Sequence, residues 1–174
     1  AVYGSFEEKY GGFYTQAELR DLVAYAAERA VTVIPEIDLP GHSLAIGKVY
    51  PEVLCPVERD NTAAAGYDRR NVWCVAREEN YALLDDIFRE LADVFPSEWV
   101  HIGGDECPTE QWATNQQCLA LVQKLGLDGV HQLQSWLVEE LGIFLKENYN
   151  KDIVVWDELL KNWNDNNKTK PVIM

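Results

Sequence analysis

Two carboxylates placed side by side at the end of an apolar run are the first feature of this sequence that could do chemistry. In HIGGDE, residues 101–106, two glycines are followed at once by Asp105 and Glu106. Glycine allows backbone conformations and close approaches that a Cβ forbids. Of two neighbouring carboxyls, one kept protonated by its surroundings can serve as a general acid, while the other stays ionised and stabilises positive charge. Acidic groups recur at two comparable places: Glu36, Asp38 and His42 in VTVIPEIDLPGHS, and Asp157 and Glu158 beside Trp156 in IVVWDE. Helix capping or pairing with a base accounts for any one of these taken singly. Three such groups, each ending an apolar segment, point to one shared rim. On pattern alone Gly-Gly-Asp-Glu is also ordinary turn composition, and Asp157 with Glu158 rivals Asp105 with Glu106. His101, two positions before the glycines, falls inside the apolar run and reads as structural.

The elements that must position these groups follow from periodicity. Thr15 and Glu18 form a T-x-x-E capping box ahead of Leu19, Leu22, Val23, Ala26, Ala27 and Ala30, which predicts a helix over residues 16–30. VTVIPEID is rich in β-branched residues and reads as a strand running into the turn LPGHS. Residues 51–71 carry Pro, Gly and Asn without periodicity and read as a long loop, a feature that in compact domains is usually functional. Tyr81, Leu84, Ile87, Phe88, Leu91 and Phe95 predict a second helix, stopped by Pro96, and WVHIGG a second strand. Leu119, Val122 and Leu125 mark a helix closed by Gly126; Leu133, Trp136, Leu137, Leu141, Phe144 and Leu145 mark another. The strand IVVW follows, and PVIM reads as the start of one more. Helices alternating with apolar strands, without hairpin signals, predict parallel strands covered by helices. The fold class is therefore α/β, in one unit spanning residues 1–174. A complete (β/α)₈ barrel takes about 250 residues. Three full strands and the start of a fourth thus predict a partial TIM barrel or a small open sheet, with the chemistry at the C-terminal strand ends. Open sheet edges invite pairing between copies, so homo-oligomerisation through them is expected.

Composition narrows the partners. A formal net charge of −14, from 29 acidic and 15 basic residues, repels phosphate backbones and anionic lipid alike, so neither nucleic acid nor a membrane is expected as a partner. No apolar run approaches the roughly 20 residues that cross a bilayer. The opening AVYGSFEEKY lacks a basic stretch followed by an apolar one. Cys55, Cys74, Cys107 and Cys118 have no CxxC spacing, so a zinc site has little support, and disulfides are permitted but not demanded. Six tryptophans suit stacking on sugars or planar ligands, although core packing explains most such rings equally well.

HIGGDE resembles the signature of the β-N-acetylhexosaminidases, family 20 of the glycoside hydrolases. IPEIDLPGHS at 34–43 and VVWDELL at 154–160 resemble that family's preceding and following strand ends, in the same order. YGGFYTQAELRDLVAYAAERAVTV, YPEVLCP and the LQSW helix extend the similarity over nearly the whole chain. The resemblance implies a segment of a TIM-barrel catalytic domain whose first strand, with a sugar-binding arginine, precedes residue 1, and whose acetamide-binding tyrosine follows Met174. It implies hydrolysis of terminal β-linked N-acetylglucosamine or N-acetylgalactosamine from oligosaccharides or glycoconjugates. Glu106 would be the general acid and base, and Asp105 would hold the 2-acetamido group as the intramolecular nucleophile. His42 would set the proton affinity of Glu106, and Trp156 would wall the N-acetyl pocket. Neither cofactor nor metal is implied, and secretion, the periplasm or a lysosome is the family's habit. Two alternatives stay open beside this: a barrel enzyme holding Mg²⁺ through Asp38, Asp105, Glu106 and Asp157, and a carbohydrate-binding segment without catalysis.

Overall fold

The computed structural model describes residues 12–56, 72–163 and 168–174. Three short strands, β1 (Trp99–His101), β2 (Asp152–Val155) and β3 (Val172–Ile173), form one parallel sheet in the order β1-β2-β3. Trp99 pairs with Asp152, His101 with Val154, and Val155 with Ile173. Residues 35–39 lie along the other side of β1. The His101 N–H donates to Pro35 O, Ile37 N–H to His101 O and Leu39 N–H to Ile102 O. The predicted strand 31–38 is thereby reduced to an extended segment with one parallel bridge, Glu36 to His101. Proline at 35 has no N–H to give a ladder, and Val31 and Ile34 are exposed.

Among the described residues six α-helices accompany these strands: α1 (Gln16–Ala27), α2 (Leu44–Val49), α3 (Glu79–Val94), α4 (Glu110–Thr114), α5 (Gln116–Leu125) and α6 (Gln132–Tyr149). The capping box at α1 is formed, with Thr15 Oγ1 accepting from Glu18 N–H at 3.2 Å and Glu18 Oε2 accepting from Thr15 N–H at 2.7 Å. Gly126 closes α5 in the left-handed conformation, φ 66°. The core lies between α3, α6 and the sheet: Leu84, Phe88, Leu133, Leu137, Leu145, Val100, Ile102, Ile153 and Val155 are all buried. Gly142 lets α6 lie close on β2, since a Cβ there would meet Ile153 Cδ1 at 3.0 Å. Lys151, at the foot of β2, donates its ammonium to the carbonyls of Phe95 and Ser97 and so ties the start of β2 to the approach to β1. Of the long loop expected over 51–71, Pro51–Val53 make a 3₁₀ turn and Leu54 bridges Trp73. Residues 57–71 of that reading lie outside the described residues.

Candidate active site

The C-terminal end of β1 is shaped by how closely Asp38 approaches it. Gly104 N–H donates to Asp38 Oδ1 at 3.2 Å, and a Cβ on Gly103 would sit 1.9 Å from that same oxygen. Gly103 and Gly104 take φ values of 74° and 91°, so both the space and the backbone require glycine. Gln134, buried within α6, holds the turn from the other side, its Nε2 donating to Gly104 O at 2.7 Å. The chain then delivers Glu106 at φ 43°, and the facing loop delivers His42 at φ 50°. Left-handed conformations at non-glycine residues cost free energy and gather at functional sites.

His42 is the point where the acidic groups meet. Its Nε2 lies 3.5 Å from Asp105 Oδ2, 3.6 Å from Glu106 Oε2 and 3.9 Å from Asp38 Oδ2. These separations are longer than a formed hydrogen bond, so the imidazole stands within a small movement of three carboxylates. Burial, reinforced by the nearby Asp105 charge, pushes the Asp38 carboxyl up to about 6, against the opposing pull of the Gly104 N–H and His42. Asp105 points its other oxygen inward: Oδ1 is buried and has no hydrogen-bond partner among the described residues.

Glu158, from the 3₁₀ turn after β2, accepts the Glu106 backbone N–H at 2.6 Å, while Lys161 donates to its other oxygen at 2.9 Å. Those two donors hold the Glu158 carboxyl below the usual carboxylate range, the Glu106 N–H being the larger influence. Trp156 is fixed by a separate route. Its indole N–H donates to Glu36 Oε1 at 3.2 Å, and its ring lies 4.6 Å from the buried His101 ring. His101 Nδ1 accepts from Gly103 N–H at 2.9 Å, which makes it the brace of the glycine turn, as its place inside the strand suggested. An open cleft of about 760 Å³ adjoins Glu106, lined also by Cys107, His131, Gln134, Glu158 and Lys161.

Asp105, Glu106 and His42 are thus brought together. Asp38, which the sequence offered as a support for His42 or the rim, lies beside His42, and Glu158, which it left unassigned, holds the main chain of Glu106. The signal for Gln134 was present but slight: an amide set in the apolar stripe of Leu133, Leu137 and Leu141. The oxygen set proposed for Mg²⁺ is not the one that gathers. Among the described residues, Asp38, His42 and Asp105 bring one ligand atom each within 4.8 Å of one another, and Asp157 is not of that group.

A parallel α/β sheet with an acid-rich C-terminal rim is the arrangement of a barrel enzyme segment. The chain matches the model of the glycosyl hydrolase family 20 catalytic domain over residues 2–174 and belongs to that family. It is 41% identical over 157 residues to a beta-hexosaminidase of Vibrio furnissii, covering 90% of this chain and 26% of the relative. Among solved structures, it is similar to an exo-β-N-acetylglucosaminidase of Vibrio harveyi in complex with N-acetylglucosamine, with TM-score 0.76 and 36% identity over 91% of this chain and 25% of that one. A chitobiase of Flavobacterium johnsoniae gives TM-score 0.80 at 31% identity, covering 92% of this chain and 24% of its own. The chain therefore spans about a quarter of the length of these relatives.

Proposed function

We propose that the whole protein is a retaining exo-β-N-acetylhexosaminidase working by substrate-assisted catalysis, and that residues 1–174 supply the central segment of its barrel. The observation that carries this reading is the convergence of Asp105 and Glu106 on His42, at 3.5 and 3.6 Å. Glu106 protonates the glycosidic oxygen as the bond to the anomeric carbon breaks. Asp105, through the oxygen that faces His42, takes the N–H of the sugar's 2-acetamido group and turns the carbonyl oxygen onto that carbon. An oxazolinium ion forms on the substrate itself, and the ionised Asp105 stabilises its positive charge. No enzyme nucleophile is needed, in contrast to the ordinary scheme of two carboxylates. A tethered acetamide has the high effective molarity of an intramolecular nucleophile, on the order of 10⁵ M or more. Water then opens the ring with Glu106 as base, and two inversions give net retention. His42, backed by Asp38, stands beside both carboxylates and helps set the proton affinity of Glu106. Trp156, locked by Glu36 and His101, offers an apolar wall to the acetamide methyl.

The N-acetylglucosamine held by the Vibrio harveyi relative supports the sugar class. The direct test compares p-nitrophenyl β-glycosides bearing 2-acetamido, 2-trifluoroacetamido and 2-hydroxyl groups. Acetamide participation predicts a steep fall in kcat with fluorination and no turnover of the hydroxyl substrate. Equal rates on all three would refute participation.

A further inference from the structure

Away from the catalytic rim, the fold gathers three of the four cysteines. Leu54 and Trp73 form an antiparallel bridge, with Cys55 N–H donating to Val72 O at 3.2 Å and Cys74 N–H to Val53 O at 2.8 Å. Side chains alternate along a strand, so Cys55 and Cys74, each one position beyond the bridge, share the face opposite Leu54 and Trp73. α5 brings Cys118 to that face, its backbone N–H fixed by the Asn115 cap at 3.0 Å. The three sulfurs lie within 4.8 Å of one another, Cys55 and Cys118 at 3.8 Å, and none of the three residues is more than 1% exposed.

We propose that Cys55, Cys74 and Cys118 form a disulfide site, in which two of the three sulfurs become bonded when the protein folds in an oxidising compartment and the third remains a thiol within exchange distance. A sulfur pair 3.8 Å apart reaches the bond length of about 2.05 Å through small side-chain rotations. Two thiols give up two protons and two electrons. Glutathione disulfide, by way of a mixed disulfide, accepts them and leaves as two glutathione thiols. Because the folded cluster is closed to solvent, the exchange takes place before the core shuts. The sulfurs come from three separated stretches of chain, so a bond among them adds a covalent link to segments held by packing, the Leu54–Trp73 bridge and side-chain hydrogen bonds such as those Asn80 Nδ2 gives to Val53 O and Cys74 O. A structural zinc is the weaker occupant, since such sites take four ligands and only these three converge among the described residues.

The test uses the whole protein produced in an oxidising compartment. It is denatured with N-ethylmaleimide to label thiols, then reduced, alkylated with iodoacetamide and mapped by peptide mass. The expected pattern puts iodoacetamide on two of Cys55, Cys74 and Cys118, and maleimide on the third and on Cys107. The Cys107→Ser variant should keep that pattern, and reductant should lower the Tm of both proteins. Maleimide on all three, a bond from any of them to a cysteine outside the trio, or zinc retained at one ion per chain with three thiols would overturn the proposal.

Discussion

A single methyl group at residue 103 would collide with Asp38 Oδ1 at 1.9 Å, on a backbone already at φ 74°. Gly103→Ala is therefore expected to cost more than about 2 kcal/mol, through strain at a special φ and the displaced carboxylate. Thermal unfolding reads that loss, and turnover falls with it because Asp38 backs His42. Asp38 also gives stability a pH dependence. Its carboxyl ionises near 3.8 when unfolded and near 6 when folded, so between those values the folded state binds more protons. Stability then falls as pH rises through that window and levels off above it. Asp38→Asn should flatten the slope and raise stability at pH 7 by about 1–3 kcal/mol, while lowering kcat; denaturant unfolding at pH 4.5 and 7 checks the sign. At this scale Asp105, Glu106 and His42 were legible as candidates, the first two from the motif HIGGDE and the third from the resemblance carried by IPEIDLPGHS, and the structure brings the three side chains together. The hydrogen bond that Asp38 accepts was not legible, since its donor, Gly104, lies 66 positions away in the chain.

At the scale of elements, the 3₁₀ turn Asp157–Asn162 explains why a second acidic pair follows β2. Glu158 accepts the main-chain N–H of Glu106 and so acts as a positioning residue for it. Glu158→Ala should lower kcat by about tenfold, a loss near 1.4 kcal/mol, with KM little changed. Glu158→Gln, which keeps an accepting oxygen, should recover part of that loss. Steady-state kinetics on the acetamido substrate separates the two. Long periodic helices were readable: α3 and α6 each carry several turns of buried apolar residues. The five-residue α4 and six-residue α2 offered no window in which a period could register. α1 stops at Ala27, three residues short of the predicted Ala30, because the chain turns there through an alanine at φ 55° with no glycine to announce it. The strand expected over 31–38 failed for the opposite reason. Its β-branched composition was right, but its hydrogen bonds to a neighbouring strand begin only at Pro35, where it runs beside β1.

At the scale of the molecule, exposed apolar side chains among the described residues include groups on the flanks of α1 and β3. Phe13, Tyr14, Tyr25 and Val31 are exposed around α1, and Val172, Ile173 and Met174 at β3, while α1 buries none of its residues. The parallel order of the sheet was readable from alternating elements. How its flanks are covered was not, because that depends on surfaces that no pattern within the 174 residues describes. The chain alone is expected to associate with rising concentration in sedimentation velocity, through the flanks of β3 and α1; a monomer throughout would show that these flanks are inert. A net charge of −14 opposes that association, which should strengthen with added salt.

The most direct measurement is release of p-nitrophenol from the β-N-acetylglucosaminide by the whole protein, beside its Glu106→Gln and Asp105→Asn variants, with and without EDTA. The account predicts turnover by the native protein that EDTA leaves unchanged, and a fall of about 10²-fold or more in kcat for each variant. Full activity in either variant, or activity that disappears on chelation, would contradict it.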